Sequence, residues 1–322
     1  MGHTAAVLGA SGYSGAELVR LLCEHPAIDV TSISASTRAG EPVGDVLPHL
    51  TGAQLPPLIP IEEAVAAGAE VVFSCLPSGE LSKHVESLDA GLVVDLADDH
   101  RADPEWVYGL TEHNRPALVG AARIANPGCY PTAVLIALVP FAARGLIGSP
   151  VLVDAVSGAS GAGRRLEDRL LLATAAGSIG AYGSTRHRHV PEMERALRSF
   201  GDLDATVSFT PHLGPFERGL LASVRAPVRS DIADGDALEV LRDAYGGEAF
   251  VEVVDAWPQT KAVAGTNRTH VMARVDERAG YLIVSCAIDN LGKGAAGQAL
   301  QNANLALRLP EAAGLGALGV WP

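Results

Sequence analysis

Four stretches of this sequence combine residue types that do chemistry. In Asn126-Pro127-Gly128-Cys129-Tyr130-Pro131-Thr132-Ala133 a cysteine precedes the apolar run Val134 to Val139, and Pro131 suits the first turn of a helix. Cys129 is therefore expected just ahead of a helix N-terminus, where the partial positive charge lowers a thiol's pKa and favours the nucleophilic thiolate. The other cysteines read differently. Cys23 falls on an amphipathic helix, and Cys75 and Cys286 fall in apolar strands, where a packed, inert cysteine is expected.

A thiolate that attacks an anionic substrate needs a proton shuttle and a cation. Arg186-His187-Arg188-His189-Val190-Pro191-Glu192 supplies both. The two histidines are two positions apart and would not share a helix face, which places them in the loop before a helix begun by Pro191. Glu192, three residues after His189, is placed to orient an imidazole that moves a proton. Arg186 and Arg188 are candidates for holding phosphate or carboxylate. Ser157-Gly158-Ala159-Ser160-Gly161-Ala162-Gly163-Arg164 is a glycine-rich loop after a strand, a source of backbone N–H donors for an oxyanion or phosphate.

The fourth stretch is Gly9-Ala10-Ser11-Gly12-Tyr13-Ser14-Gly15, between a strand and a helix. Gly9 allows the tight turn, Gly12 lets backbone N–H groups approach a pyrophosphate, and Gly15 permits close helix packing. The GxxGxxG spacing departs from GxGxxG by one residue. At the end of the second strand stand Ser36, Thr37 and Arg38, where an NAD-selective site carries an acidic residue for the ribose diol. Hydroxyls and a guanidinium suit a 2′-phosphate, so NADP(H) is the expected cofactor.

The elements that must position these groups follow from periodicity. Strand-like segments at 3–9, 28–35, 70–75 and 92–96, a helix at 15–24 and connections long enough for crossover helices predict an α/β, Rossmann-type doubly wound parallel sheet. From about residue 151 the pattern changes to longer strands at 151–157, 205–212, 219–227, 270–276 and 281–290, which predicts an α+β second domain with a mixed or antiparallel sheet. A helix from Gly294 to Leu309, with Ala296, Leu300, Ala303 and Leu307 as an apolar stripe, is expected to return to the first domain.

Composition narrows the function further. A formal net charge of −13 over 322 residues speaks against nucleic acid or an anionic membrane as a partner, so an anionic ligand needs a local basic pocket. Four cysteines without a CxxC pair indicate neither a zinc cluster nor a disulfide framework, no metal is expected, and a reducing cytoplasm fits. No signal peptide, myristoylation motif or long apolar run is read, and a cytoplasmic protein is expected.

Taken together these motifs resemble N-acetyl-γ-glutamyl-phosphate reductase, the arginine-pathway relative of aspartate-semialdehyde dehydrogenase. The likeness rests on GASGYSG at 9–15, NPGCYPTA at 126–133, HRHVPEME at 187–194, TPHLGPFERGLL at 210–221 and AIDNLGKGAAG at 287–297, and it runs nearly end to end. It implies that Cys129 attacks an acyl phosphate, phosphate leaves, and NADPH reduces the resulting thioester to a semialdehyde. It further implies a proton shuttle of His189 with Glu192, a substrate pocket lined by Ser157, Gly158, Tyr182 and His187, and cofactor contacts from Leu76, Pro77, Ser78 and Asn290. The implied domains are residues 1–130 with 291–322 for NADP and 131–290 for catalysis and oligomerisation, in a homodimer or homotetramer. One departure is Asp95-Leu96-Ala97-Asp98-Asp99-His100-Arg101, where the family usually shows DLSADFR.

Two alternatives stand beside this reading. A close relative reduces an acyl phosphate borne by a small acidic carrier protein in lysine biosynthesis, a partner that wants a basic rim, which the acidic balance here argues against. A non-catalytic NADP-binding regulator that reuses the fold is the other; the joint presence of Cys129, His189 and Glu192 speaks against it.

Overall fold

The computed structural model describes residues 2–229, 232–316 and 318–319, and the chain forms two compact units. One holds the residues up to Gly128 together with Ala295–Gly316; the other runs from Cys129 to Gly294.

The first unit is built on β1 (His3–Leu8), β2 (Ile28–Ser34), β3 (Leu58–Ile59), β4 (Val71–Ser74), β5 (Leu92–Asp95), β6 (Val107–Tyr108) and β7 (Arg123–Ala125). Their spatial order is β3-β2-β1-β4-β5-β7-β6, and every neighbouring pair is parallel. This is the doubly wound sheet expected from the sequence. β4 and β5 are buried at every position, as strands covered on both faces must be. Leu8, Val72, Leu76, Leu81, Val93 and Trp106 form one core on the sheet, each large aliphatic contributing roughly 1.5–3 kcal/mol on burial. The first helix spans Tyr13–Cys23 and buries Leu18, Val19, Leu21 and Leu22. Cys23, expected to be packed, is exposed at its end, because the buried stripe ends at Leu22. Between β4 and β5 the crossover consists of the short 3-10 turns Leu81–Lys83 and Val85–Ser87 instead of a long helix.

The C-terminal helix Gly297–Ala306 joins this unit, entered through a π turn at Gly292–Ala296. It is buried on all sides and not along an apolar stripe alone, since Gln298, Gln301, Asn302 and Asn304 are fully buried beside Leu300 and Ala303. Its amides find partners across the unit. Asn302 donates to Gly109 O at 2.8 Å and to Asn126 Oδ1 at 3.1 Å, and accepts from Thr111 Oγ1 at 2.8 Å. Asn126 donates its backbone N–H to Asp95 O at 2.7 Å, while Arg101 Nε donates to Asn126 O at 2.9 Å. The turn that leads into Cys129 is thereby held at both ends of its first residue.

The second unit contains β8 (Val151–Ser157), β9 (Gly180–Ala181), β10 (Val207–Leu213), β11 (Leu220–Pro227), β12 (Val251–Val253), β13 (Thr269–Asp276) and β14 (Tyr281–Ile288). They form one mixed sheet in the order β12-β13-β14-β11-β8-β10-β9. β8 and β10 are parallel in register from Val151–Val207 to Ser157–Leu213, whereas β8–β11, β11–β14 and β13–β14 are antiparallel. Burial alternates along β8 and β11, so one face of the sheet packs on helices. The helix Cys129–Ala142 is buried from Tyr130 to Ala142, apolar all round, as a central helix must be. Pro140 within it lacks the N–H that would bond the Ile136 carbonyl; Tyr245 Oη donates to that carbonyl at 2.7 Å. Among the described residues no helix is long and apolar enough to cross a membrane.

Candidate active site

Cys129 is the first residue of its 14-residue helix, one step further in than expected, because Pro131 occupies the first turn without starting it. Alone among the residues of this helix it is not buried. Its sulfur stands at the helix N-terminus, where the helix dipole favours negative charge. Behind it the chain is tight: a β-carbon at Gly294 would lie 2.8 Å from Cys129 Cβ.

In front of Cys129 opens a cavity of about 280 Å³. Ser157 and Gly158 line it from the end of β8, Tyr182 from the residue after β9, and His187, Arg188 and His189 from the turn into the helix His189–Gly201. The structure thus brings together Cys129 and the histidine motif, remote in sequence. His189 begins that helix, ahead of Pro191, and Glu192, three residues on, is also buried on it. Arg186 is exposed and is not among the lining residues.

The two histidine rings meet edge to face at 4.8 Å between centroids, although two positions apart, because His187 precedes the helix that His189 starts. The backbone N–H of His189 donates to His187 Nδ1 at 3.2 Å, so a neutral His187 carries its proton on Nε2. Burial, and then the Arg188 guanidinium, hold the His187 pKa down at about 4, against the opposite pull of Glu192. Tyr130 and Tyr182 share a hydroxyl–hydroxyl hydrogen bond of 3.0 Å. Burial pushes both phenols up, keeping them protonated.

Sequence reasoning missed part of this wall. Arg165 and Arg169 line the cavity with Arg188, and the Arg169 guanidinium stands over the Tyr182 ring at 5.0 Å. Three arginines at one cavity answer the need for a local basic pocket on an acidic chain. Nothing local marked Arg165 and Arg169, whose surrounding segment has no clear periodicity; Tyr130 lies inside the cysteine motif, which by itself assigns it no role. Cys75 and Cys286 play no part in the cavity, Cys286 being buried and the Cys75 thiol pushed far up by burial.

The expected cofactor residues of the first unit gather at the carboxyl ends of adjacent strands, where doubly wound sheets bind nucleotides. Gly9 has φ +81° and Gly15 fits under it, a β-carbon at 15 meeting Gly9 O at 2.6 Å. At Gly12 a β-carbon would meet only Gly9 O, at 3.5 Å, leaving open space above the helix end. Gly12 is the N-cap of the helix begun by Tyr13, and no side chain caps it. Ser11 lies in the turn and Ser14 in the helix's first turn. These residues fit a pyrophosphate. Ser34 Oγ accepts from Gly9 N at 3.1 Å, tying the turn to β2, beyond which Ser36 and Thr37 are exposed and Arg38 pairs through two hydrogen bonds with Glu41.

After β4, Leu76 is buried in the core, and Pro77 and Ser78 continue outward. The altered loop after β5 explains itself here: Asp98 accepts from Ser78 Oγ, and Asp99 accepts from Gly79 N at 2.6 Å. His100 keeps an aromatic stack on Trp106, centroids 4.0 Å apart, and hydrogen-bonds Asp95 at 2.7 Å. Asn290 is carried by the other unit, its Oδ1 accepting from Gly219 N and its Nδ2 donating to Ser160 Oγ, each at 2.8 Å. Among the described residues no group of three or more His, Cys, Asp or Glu is arranged to hold a metal.

Comparison with known proteins now decides the family. The NAD binding domain of semialdehyde dehydrogenases matches residues 4–121, and the semialdehyde dehydrogenase dimerisation domain matches residues 129–290. The chain belongs to the semialdehyde dehydrogenase family. As a member it is an oxidoreductase with a nicotinamide-nucleotide domain. It is 44% identical to an N-acetyl-gamma-glutamyl-phosphate reductase of Acidothermus cellulolyticus over the full length of both chains. It is 41% identical to a probable chloroplastic N-acetyl-gamma-glutamyl-phosphate reductase of Arabidopsis thaliana, over 96% of this chain and 83% of the plant protein. Among solved structures, the semialdehyde dehydrogenase fold recurs in aspartate semialdehyde dehydrogenase II of Vibrio cholerae, with a TM-score of 0.78 at 20% identity, covering 96% of this chain and 99% of that one. The Candida albicans aspartate semialdehyde dehydrogenase with NADP aligns at a TM-score of 0.68 and 19% identity, over 95% and 98% of the two chains.

Proposed function

We propose that this chain reduces N-acetyl-γ-glutamyl phosphate to N-acetylglutamate semialdehyde with NADPH, releasing phosphate, as a step of arginine biosynthesis. The observation that carries the reading is one cavity in which a cysteine at a helix N-terminus faces two histidines and three arginines. The full-length relatives named for this reaction support the substrate.

In this reading the Cys129 thiolate attacks the γ-acyl carbon, the C–O bond to phosphate breaks, and a thioester forms. NADPH, when bound, supplies the hydride that reduces the thioester carbon. The resulting thiohemiacetal expels the Cys129 thiolate as its oxygen loses a proton, giving the aldehyde. His189, oriented from its helix beside Glu192, moves protons at the substrate oxygen. Neutral His187 offers its Nε2–H as a hydrogen-bond donor, and Ser157 and Gly158 supply polar groups at the end of β8. Arg165, Arg169 and Arg188 hold the substrate's phosphate and carboxylate, the role the motif reading gave to Arg186 and Arg188. Tyr182 positions Arg169 by cation–π contact.

The first unit is the NADP-binding domain, with Gly9, Ser11, Gly12, Tyr13, Ser14 and Gly15 at the pyrophosphate and Ser36, Thr37 and Arg38 at the 2′-phosphate. Leu76, Pro77, Ser78 and Asn290 serve the nicotinamide end. The second unit serves catalysis and self-association, in a homodimer or homotetramer. A cytoplasmic location suits a nucleophile that must stay a reduced thiol.

The test is the reverse reaction: N-acetylglutamate semialdehyde, phosphate and NADP⁺ should yield NADPH, and omission of phosphate should abolish the signal. A folded preparation that binds NADP⁺ yet shows no phosphate-dependent turnover would overturn the assignment.

A further inference from the structure

Tyr130 follows Cys129 directly and is only 2% exposed. Its ring meets those of His187, His189 and Phe209 edge-on, at 5.7, 6.0 and 5.0 Å between centroids. Those contacts need an aromatic ring, and phenylalanine would make them as well. The hydroxyl is a separate matter, because a buried O–H costs free energy unless it is hydrogen-bonded.

Two acceptors stand at Tyr130 Oη: Tyr182 Oη at 3.0 Å and the His212 carbonyl at 3.4 Å. The hydroxyl has one proton to give. Given to His212 O, it leaves Tyr130 as the acceptor of the Tyr182 proton. Given to Tyr182 Oη, it frees the Tyr182 proton for a third group. The bond to His212 O is long for O–H···O, so little is lost in the second arrangement.

The third group belongs in the cavity. Tyr182 lines it together with Cys129, Arg169 and Arg188. Burial keeps the Tyr182 phenol protonated, and the charges of Cys129, Arg169 and Arg188 also reach it. Its backbone is anchored to β10, the N–H donating to Pro211 O at 3.0 Å, and the Arg169 guanidinium stands over its ring.

We propose that Tyr130 is a positioning residue of this site: when an oxyanion enters the cavity, the Tyr130 hydroxyl turns from His212 O to Tyr182 Oη, and Tyr182 donates its own O–H to the oxyanion. No proton changes owner; each O–H bond only rotates. Hydrogen bonds in series polarise one another, and one donated to an anion is about twice as strong as one between neutral groups. The arginines supply charge, and the tyrosine pair adds a directed donor beside Cys129. That the oxyanion is phosphate, free or as an acyl phosphate, rests on the reductase reading; the relay itself rests on the hydroxyl pair and its place in the cavity.

The experiment is a double-mutant cycle of Tyr130→Phe, Tyr182→Phe and the double variant in the full-length protein. Its readout is the concentration of inorganic phosphate that protects Cys129 from iodoacetamide, which needs no turnover. Phenylalanine keeps every ring contact, so the variants should fold with melting temperatures near that of the wild type. Tyr130→Phe should raise the phosphate dissociation constant roughly five-fold, and Tyr182→Phe as much or more. The double variant should be no weaker than Tyr182→Phe alone, because Tyr130 acts through Tyr182. In the reverse assay Tyr130→Phe should raise KM for phosphate by the same factor, with NADP⁺ binding unchanged. A wild type that phosphate does not protect, a Tyr130→Phe protein with wild-type phosphate affinity, or a double variant weakened by the product of the two single factors would each overturn the proposal. A wild type protected by phosphate but without turnover would end the reductase reading, while the cycle still decides the relay.

Discussion

Gly294 stands against Cys129 so closely that any β-carbon at 294 would lie 2.8 Å from Cys129 Cβ and 3.4 Å from its Cα. The π turn Gly292–Ala296 thus forms the backing of the first helical residue. Overpacking of this kind costs about 1–3 kcal/mol, and the movable partner is the nucleophile. Gly294→Ala should leave a folded protein whose Cys129 reacts more slowly with iodoacetamide and whose turnover falls by about ten-fold or more. Wild-type alkylation and turnover would show that the backing is dispensable.

Cys129→Ser tests the nucleophile itself. The hydroxyl is a far weaker nucleophile, so turnover should fall by several orders of magnitude. NADP⁺ binding and the melting temperature should stay near those of the wild type, since the side chain is partly exposed. Substantial residual activity would remove Cys129 from the covalent step.

Arg38 is engaged by Glu41 through two hydrogen bonds, so a 2′-phosphate at this place competes with a carboxylate for one guanidinium. Arg38→Ala should weaken NADPH much more than NADH. Glu41→Gln, which removes the competing charge, should tighten NADPH and leave NADH unchanged. Titration of both nucleotides against both variants checks the pair, and equal effects on the two cofactors would take Arg38 out of the 2′-phosphate site.

His187 carries a pH dependence. Its folded-state pKa of about 4 lies below the ordinary 6.5, so between these values the unfolded chain binds the proton more readily. Its contribution to stability is fully present above pH 6.5 and is lost progressively as pH falls toward 4. The melting temperature of the wild type should therefore drop more between pH 7 and pH 5 than that of His187→Gln. Parallel pH profiles would mean that His187 is not held neutral by its surroundings.

How much of this was legible in the chain depends on how far each cause reaches. The helix after Cys129, the turn Gly9–Gly15 and the strand Val151–Ser157 follow from neighbours in sequence: an apolar run behind a first-turn proline, glycines between a strand and a helix, and a β-rich run. Motif spacing also named His187, His189 and Glu192. Other features were decided by groups far apart along the chain. Arg165 and Arg169 became cavity residues because β9 returns their segment alongside β10, while Arg186, inside the motif, stayed outside. Gln301, Asn302 and Asn304 are buried outside the apolar stripe because Gly109, Thr111, Asn126 and Glu311 supply hydrogen-bond partners. Periodicity records which side of an element avoids water, and a buried amide with distant partners leaves no trace in it.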